Sequence, residues 1–137
     1  FPTRRSSDLV AGRKFEYLKE RMLGYEELMK LPVMCLEGNT STRTYVEQFL
    51  ASKQVTIRPE FELATSDMLI QFAVRNLGIA SVVRNFAEEH LTEGDLFELR
   101  FLEEIPARTF CIVANERIPL SAAAATLMNV LVQGTSQ

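Results

Sequence analysis

The sequence predicts an α/β fold with a mostly parallel sheet flanked by helices, and two observations lead there. A strand, a hydroxyl-rich turn and a helix occur in that order twice in succession, first over LPVMCLE and STRTYVEQFLASK, then over EFELA and MLIQFAVRN. Alternation of this kind lays parallel strands side by side with right-handed crossovers. The composition agrees: 137 residues at 47% hydrophobic and 24% charged suit an ordinary globular domain with one core. No solenoid repeat, low-complexity tract or long linker interrupts it.

The opening FPTRRSSDL reads like the translation of a sequencing-adapter end. Residues 1–9 are therefore expected to be non-native and are set aside from the fold, with the biological sequence starting near Val10 in the middle of a gene. LPVMCLE, entered through Pro32 and stopped at Gly38, is a short apolar run of the kind that forms a buried strand. In the next segment Tyr45, Val46, Phe49 and Leu50 fall at helical spacing, with hydroxyls at the start and Lys53 at the end, where a cation complements the helix dipole. EFELA is a second strand. Met68, Leu69, Phe72 and Ala73 give the following helix a broad apolar face. Asn76 falls where that helix must stop, and Asn readily takes the left-handed conformation that such a stop requires. GIASVVR is a third strand, NFAEEHL a short helix closed by the turn TEGD, and LFELRFL and TFCIVA two further strands. Ser121 then caps a helix over 122–132 that is apolar on almost every side and so expects cover from several directions. A frayed tail, 133–137, ends the chain.

Charge and motif content exclude several function classes. The net charge is −3, and because Arg4, Arg5 and Asp8 together contribute +1, the remainder carries −4. That balance argues against nucleic-acid binding by this piece. No apolar run approaches the ~20 residues of a membrane span and no signal peptide is visible, so a soluble cytoplasmic location is expected. Cys35 and Cys111 lie inside apolar runs and are read as buried thiols. His90 is the only histidine; it follows Glu88 and Glu89 near a helix end, where a surface cation is favoured. With one His and two dispersed Cys, no metal set is expected. No nucleophile elbow, P-loop or G-x-G-x-x-G supports catalysis or a bound cofactor. The reading is of a non-enzyme with no catalytic residues and no cofactor.

The two strand-to-helix turns are the best site candidates. Asn39, Thr40, Ser41 and Thr42 form one, and Thr65, Ser66 and Asp67 the other. Each sets hydroxyls beside the N–H groups of a helix start, which suits an anion, and in a parallel sheet both turns fall at the carboxyl ends of strands, where α/β folds bind ligands. Ordinary helix capping, worth about 1 kcal/mol per residue, is the commoner use of such side chains. Asp67 adds a charge that opposes a bound carboxylate.

The ordered stretches VAGRKFEYLKE, YEELMKLPVMCLEGNTSTR, EFELATSDMLIQFAVRNLGIASVV and IPLSAAAATLMNVL resemble the effector-binding region of LysR-type transcriptional regulators. The likeness covers nearly everything from Val10 to Val132, and Asn76 replaces a Gly of the usual pattern. It implies a fold like half of a type 2 periplasmic binding protein. The second, Rossmann-like lobe would occupy 13–107, and a return strand and helix at 108–132 would belong to a first lobe otherwise absent. It also implies a small, anionic effector held between lobes by the two turns above. DNA would be bound through a winged helix-turn-helix outside this fragment, and the full-length protein would be a homo-oligomer. An extracytoplasmic solute-binding protein of the same lobe fold is the alternative, and it predicts an upstream signal peptide.

Overall fold

The computed structural model describes residues 2–134, with side chains from Ser6 onward. Strands β1 (Pro2–Arg5) and β2 (Ser7–Ala11) come first, and two 3-10 segments, Arg13–Leu18 and Tyr25–Lys30, flank β3 (Met22–Leu23). The predicted alternation follows as β4 (Val33–Leu36), α1 (Ser41–Ser52), β5 (Phe61–Leu63), α2 (Ser66–Val74), β6 (Ile79–Val83) and α3 (Arg84–Glu93). β7 (Phe97–Glu98), β8 (Arg100–Phe101), β9 (Arg108–Cys111) and α4 (Ala122–Gly134) complete the chain. None of the described helices is long and apolar enough to cross a membrane.

Two compact units result, Ser6–Pro106 and a smaller one of Phe1–Arg5 with Ala107–Gln137. The larger unit holds a five-stranded sheet in the order β5-β4-β6-β2-β7. β4 runs parallel to β5 and β6, whereas β2 is antiparallel to both β6 and β7, so the sheet is mixed. Residues 7–9, set aside by the sequence reading, do enter the fold. Leu9 continues the apolar run into Val10 and Ala11, pairs with Ser81, and is 2% exposed. The stretch LFELRFL also differs from the single strand expected. Leu99 turns inward, its N–H bonding Leu9 O at 2.9 Å, so the run splits into β7 in the main sheet and β8 beside β3.

Strand alternation sorts the core into two faces. Val33 and Cys35 of β4, Ile79 of β6 and Leu9 of β2 pack with Val46 and Leu50 of α1 and with Phe15, Leu18 and Leu28 of the 3-10 segments. Met34, Ala80, Val82 and Val10 point the other way, onto Leu69, Ile70 and Ala73 of α2 and Ala87 of α3. Period-two alternation and helical spacing thus meet at a common pair of surfaces. Tight approach requires glycine at Gly78, where a Cβ would stand 2.6 Å from Pro32 O. Asn76 takes the predicted left-handed conformation, φ 62°, and its Oδ1 accepts the Lys14 N–H at 2.9 Å, a bond glycine could not make. A second left-handed residue, Gln54 (φ 61°), closes α1 and carried no sequence signal.

In the smaller unit β9 pairs antiparallel with β1, and Ser121 Oγ accepts the Ala124 N–H at 3.1 Å to cap α4 as predicted. α4 runs to Gly134, two residues beyond the expected end, and the remainder of the expected tail, 135–137, lies outside the described residues, as does Phe1. Cys111 is exposed, not buried as expected. It sits in a two-stranded ladder, and no residue of β9 is buried. Cys35 is buried as expected.

Candidate functional site

The last β4–β5 pair is Leu36 with Leu63, and Glu37 N–H extends the ladder to Leu63 O at 3.0 Å. Both hydroxyl-bearing turns therefore leave the same edge of the sheet from paired positions. The seven residues singled out in the sequence fall into two neighbouring groups at the carboxyl ends of β4 and β5.

In the first group Thr40 is the N-cap of α1, with extended backbone (φ −84°, ψ 143°). Its Oγ1 accepts the Arg43 N–H at 3.3 Å and donates to Glu37 O at 3.1 Å. Asn39 and Ser41 are exposed, and Thr42 is half-buried. In the second group Thr65 caps α2 in the same way, its Oγ1 accepting the Met68 N–H at 3.2 Å. Ser66 is half-buried, and Asp67 is exposed in the first turn, where its charge favours the dipole. Each helix start also presents N–H groups that the helix itself does not use. The two helices pack on opposite faces of the sheet, so each N-terminus is a separate dipole end, that of α2 facing the Asp67 charge.

Two residues of this region escaped the sequence reading. Arg43 has a side chain only 11% exposed. Its Nε pairs with Glu47 Oε1 at 2.8 Å, while Nη1 pairs with Glu62 Oε1 at 2.9 Å and donates to Leu36 O at 3.2 Å. The fork lies under the turn: a Cβ placed on Gly38 would meet Nη1 at 3.6 Å. Burial works against the Arg43 charge, but the hydrogen bonds and charges of Glu47 and Glu62 outweigh it and raise the pKa. Its spacing to Glu47 is a readable i,i+4 signal. Glu62 becomes a partner only through the β4–β5 pairing. Ser81, inside an otherwise apolar strand, is 6% exposed, and its hydroxyl has no hydrogen-bond partner among the described residues. With Thr42, Arg43 and Cys35 it lines a cavity of about 10 Å³ under α1, the room of about one water molecule.

Away from these turns, His90, Glu93 and Asp95 bring one potential metal-ligand atom each to within 4.8 Å of one another at the end of α3. His90 Nδ1 lies 3.3 Å from Asp95 Oδ2, so the imidazole already has a carboxylate partner at the negative end of the helix. Sequence spacing gave no hint of this group, because Asp95 reaches back across the left-handed Gly94 (φ 84°).

A family profile described as the LysR substrate binding domain matches residues 6–136. Over 72 residues the chain is 26% identical to the HTH-type transcriptional activator CmpR of Synechocystis sp. (strain ATCC 27184 / PCC 6803 / Kazusa), which covers 53% of this chain and 24% of that protein. The chain thus spans about a quarter of the length of that curated relative. The CcmR regulatory domain of Synechocystis PCC6803, solved in complex with 2-PG, superimposes with a TM-score of 0.81 at 17% identity, covering 98% of this chain and 66% of that one. The effector binding domain of QuiR in complex with shikimate gives 0.76 at 10% identity, covering 98% and 63%. At these identities the superpositions establish the shared α/β fold.

Proposed function

The chain belongs to the LysR substrate-binding domain family, and from that premise we propose that it is the effector-sensing part of a DNA-binding transcriptional regulator. Its ligand is a small anion such as a carboxylate or phosphate ester. The observation that carries the reading is the pair of hydroxyl-capped helix N-termini at one sheet edge, with Asn39, Thr40, Ser41 and Thr42 on one turn and Thr65, Ser66 and Asp67 on the other. Hydroxyls and helix N–H groups bind an oxyanion by hydrogen bonds and dipole, without a catalytic group. Both ligands named for the solved relatives suit such a site: 2-PG for CcmR and shikimate for QuiR. In this reading the unit Ser6–Pro106 is the second lobe, and β9 with α4 belongs to the first. The effector acts by favouring one arrangement of lobes over another. DNA contact through an N-terminal helix-turn-helix, homo-oligomer formation and a cytoplasmic location belong to the same proposal.

Calorimetric titration of the chain with 2-PG, shikimate and inorganic phosphate tests it. Thr40→Ala and Ser41→Ala are each expected to weaken binding about fivefold, while the melting temperature of Thr40→Ala falls by only about 4 °C, the effect of a lost cap worth about 1 kcal/mol. Unchanged affinity beside that melting shift leaves capping as the only role of Thr40. Absence of binding by all three probes removes the anion reading.

A further inference from the structure

Arg43 joins elements that carry different halves of the proposed site. Its guanidinium reaches the Leu36 carbonyl at the end of β4, Glu47 one turn along α1, and Glu62 on β5, and it lies against the underside of the turn at Gly38. Thr40 lies three residues before it and Thr65 three residues beyond Glu62. One planar fork therefore ties the turn that presents Asn39 to Thr42 to the strand that leads into Thr65 to Asp67. Geometry of this kind suits Arg, whose several donors are fixed in one plane, and does not suit Lys, a single flexible point charge.

We propose that Arg43 is a positioning residue that sets the spacing of the two hydroxyl-bearing turns, and so the geometry in which an anionic ligand is held. It does so without touching the ligand. This rests on the reading of the turns as the effector site. The local charge supports positioning over direct attraction. Arg43 is matched by two carboxylates, so the cluster as a whole carries a net negative charge and offers no attraction to an anion. What it supplies is a rigid link between β4, α1 and β5.

The test separates the two roles by sign. Glu62→Gln removes one negative charge beside Arg43 and breaks the ionic tie to β5. If Arg43 acted by attracting anions, this variant would bind 2-PG more tightly; as a strap it should bind about tenfold more weakly. Arg43→Gln should show a similar or larger loss, and Arg43→Lys, with the charge kept but the fork gone, should recover only part of it. Hydrogen exchange followed by mass spectrometry gives a ligand-free readout. In Glu62→Gln and Arg43→Lys, amides of the Thr65 turn and of the Thr40 turn should both exchange faster. Changes confined to α1 in both variants, or tighter 2-PG binding by Glu62→Gln, overturn the inference. If no probe binds the wild-type chain but both turns loosen together, the strap stands and the effector reading of the turns fails.

Discussion

Helices α2 and α4 have similarly apolar sequences, yet they end in opposite circumstances. α2 buries Leu69, Ile70 and Ala73 against the sheet, whereas α4 buries nothing and leaves Leu127, Val130 and Leu131 exposed. The same contrast separates the two units, because every buried apolar residue of the described chain lies between Leu9 and Ile105. Apolar content fixes how much a helix gains from cover. Whether it is covered depends on neighbouring elements: α2 has β6 and β4 beneath it, whereas no described side chain of α4 is more than partly buried. The larger unit therefore carries its own core, while the smaller one contributes little burial free energy.

The most direct way to break that comparison is to remove the same side chain from each helix. Leu69 is 0% exposed and Leu127 is 59% exposed. Leu69→Ala should lower unfolding free energy by about 3 kcal/mol through lost burial and the cavity left behind. Leu127→Ala should change it by less than about 0.5 kcal/mol. Urea unfolding monitored by circular dichroism measures both, and equal losses would show that α4 is covered in solution.

Asn76 sharpens the account of the larger unit at a smaller scale. It ends α2 in the left-handed region and also accepts the Lys14 N–H, tying the end of α2 to the first 3-10 segment. Asn76→Ala loses both features and should cost about 2 kcal/mol. Asn76→Gly keeps the backbone at ease and loses only the bond, so it should cost about 1 kcal/mol. The reverse order would mean that the hydrogen bond does not form.

Sequence periodicity made the βα units legible because each core face recurs within one short segment. Val46 and Leu50 on α1, or Leu69 and Ala73 on α2, announce themselves at helical spacing. Asn76 was legible for the same local reason, since only a few residue types suit a left-handed stop. What depended on pairing between distant segments was hidden. β2 joins the sheet in the antiparallel sense only because β6 and β7 flank it, and Leu99 splits a strand by bonding back to Leu9. At the site, Thr40 and Thr65 were readable as caps, whereas Arg43 needed Glu62 brought alongside by the β4–β5 ladder. Ser81 needed the knowledge of which face of β6 lies under α1.

The two cysteines give the smallest effects and the finest comparison of the units. Cys35 is 7% exposed, and burial, opposed by the Arg43 charge and reinforced by Glu47 and Glu62, pushes its thiol from 9.0 up to about 11. Cys111 lies exposed on β9. Since the thiolate is the reactive form, native chain treated with iodoacetamide at pH 8 should be modified once, at Cys111, and twice only in denaturant. The same shift gives a pH dependence. Between pH 9 and 11 the unfolded state releases the Cys35 proton before the folded state does, so it binds fewer protons and stability falls as pH rises through that window. Cys35→Ala should flatten that fall while leaving the profile below pH 8 unchanged in shape. A slope that persists in Cys35→Ala would assign the alkaline loss to another group. Rapid alkylation of Cys35 in native chain would mean that α1 opens readily from β4, the contact that the Arg43 fork is built to hold.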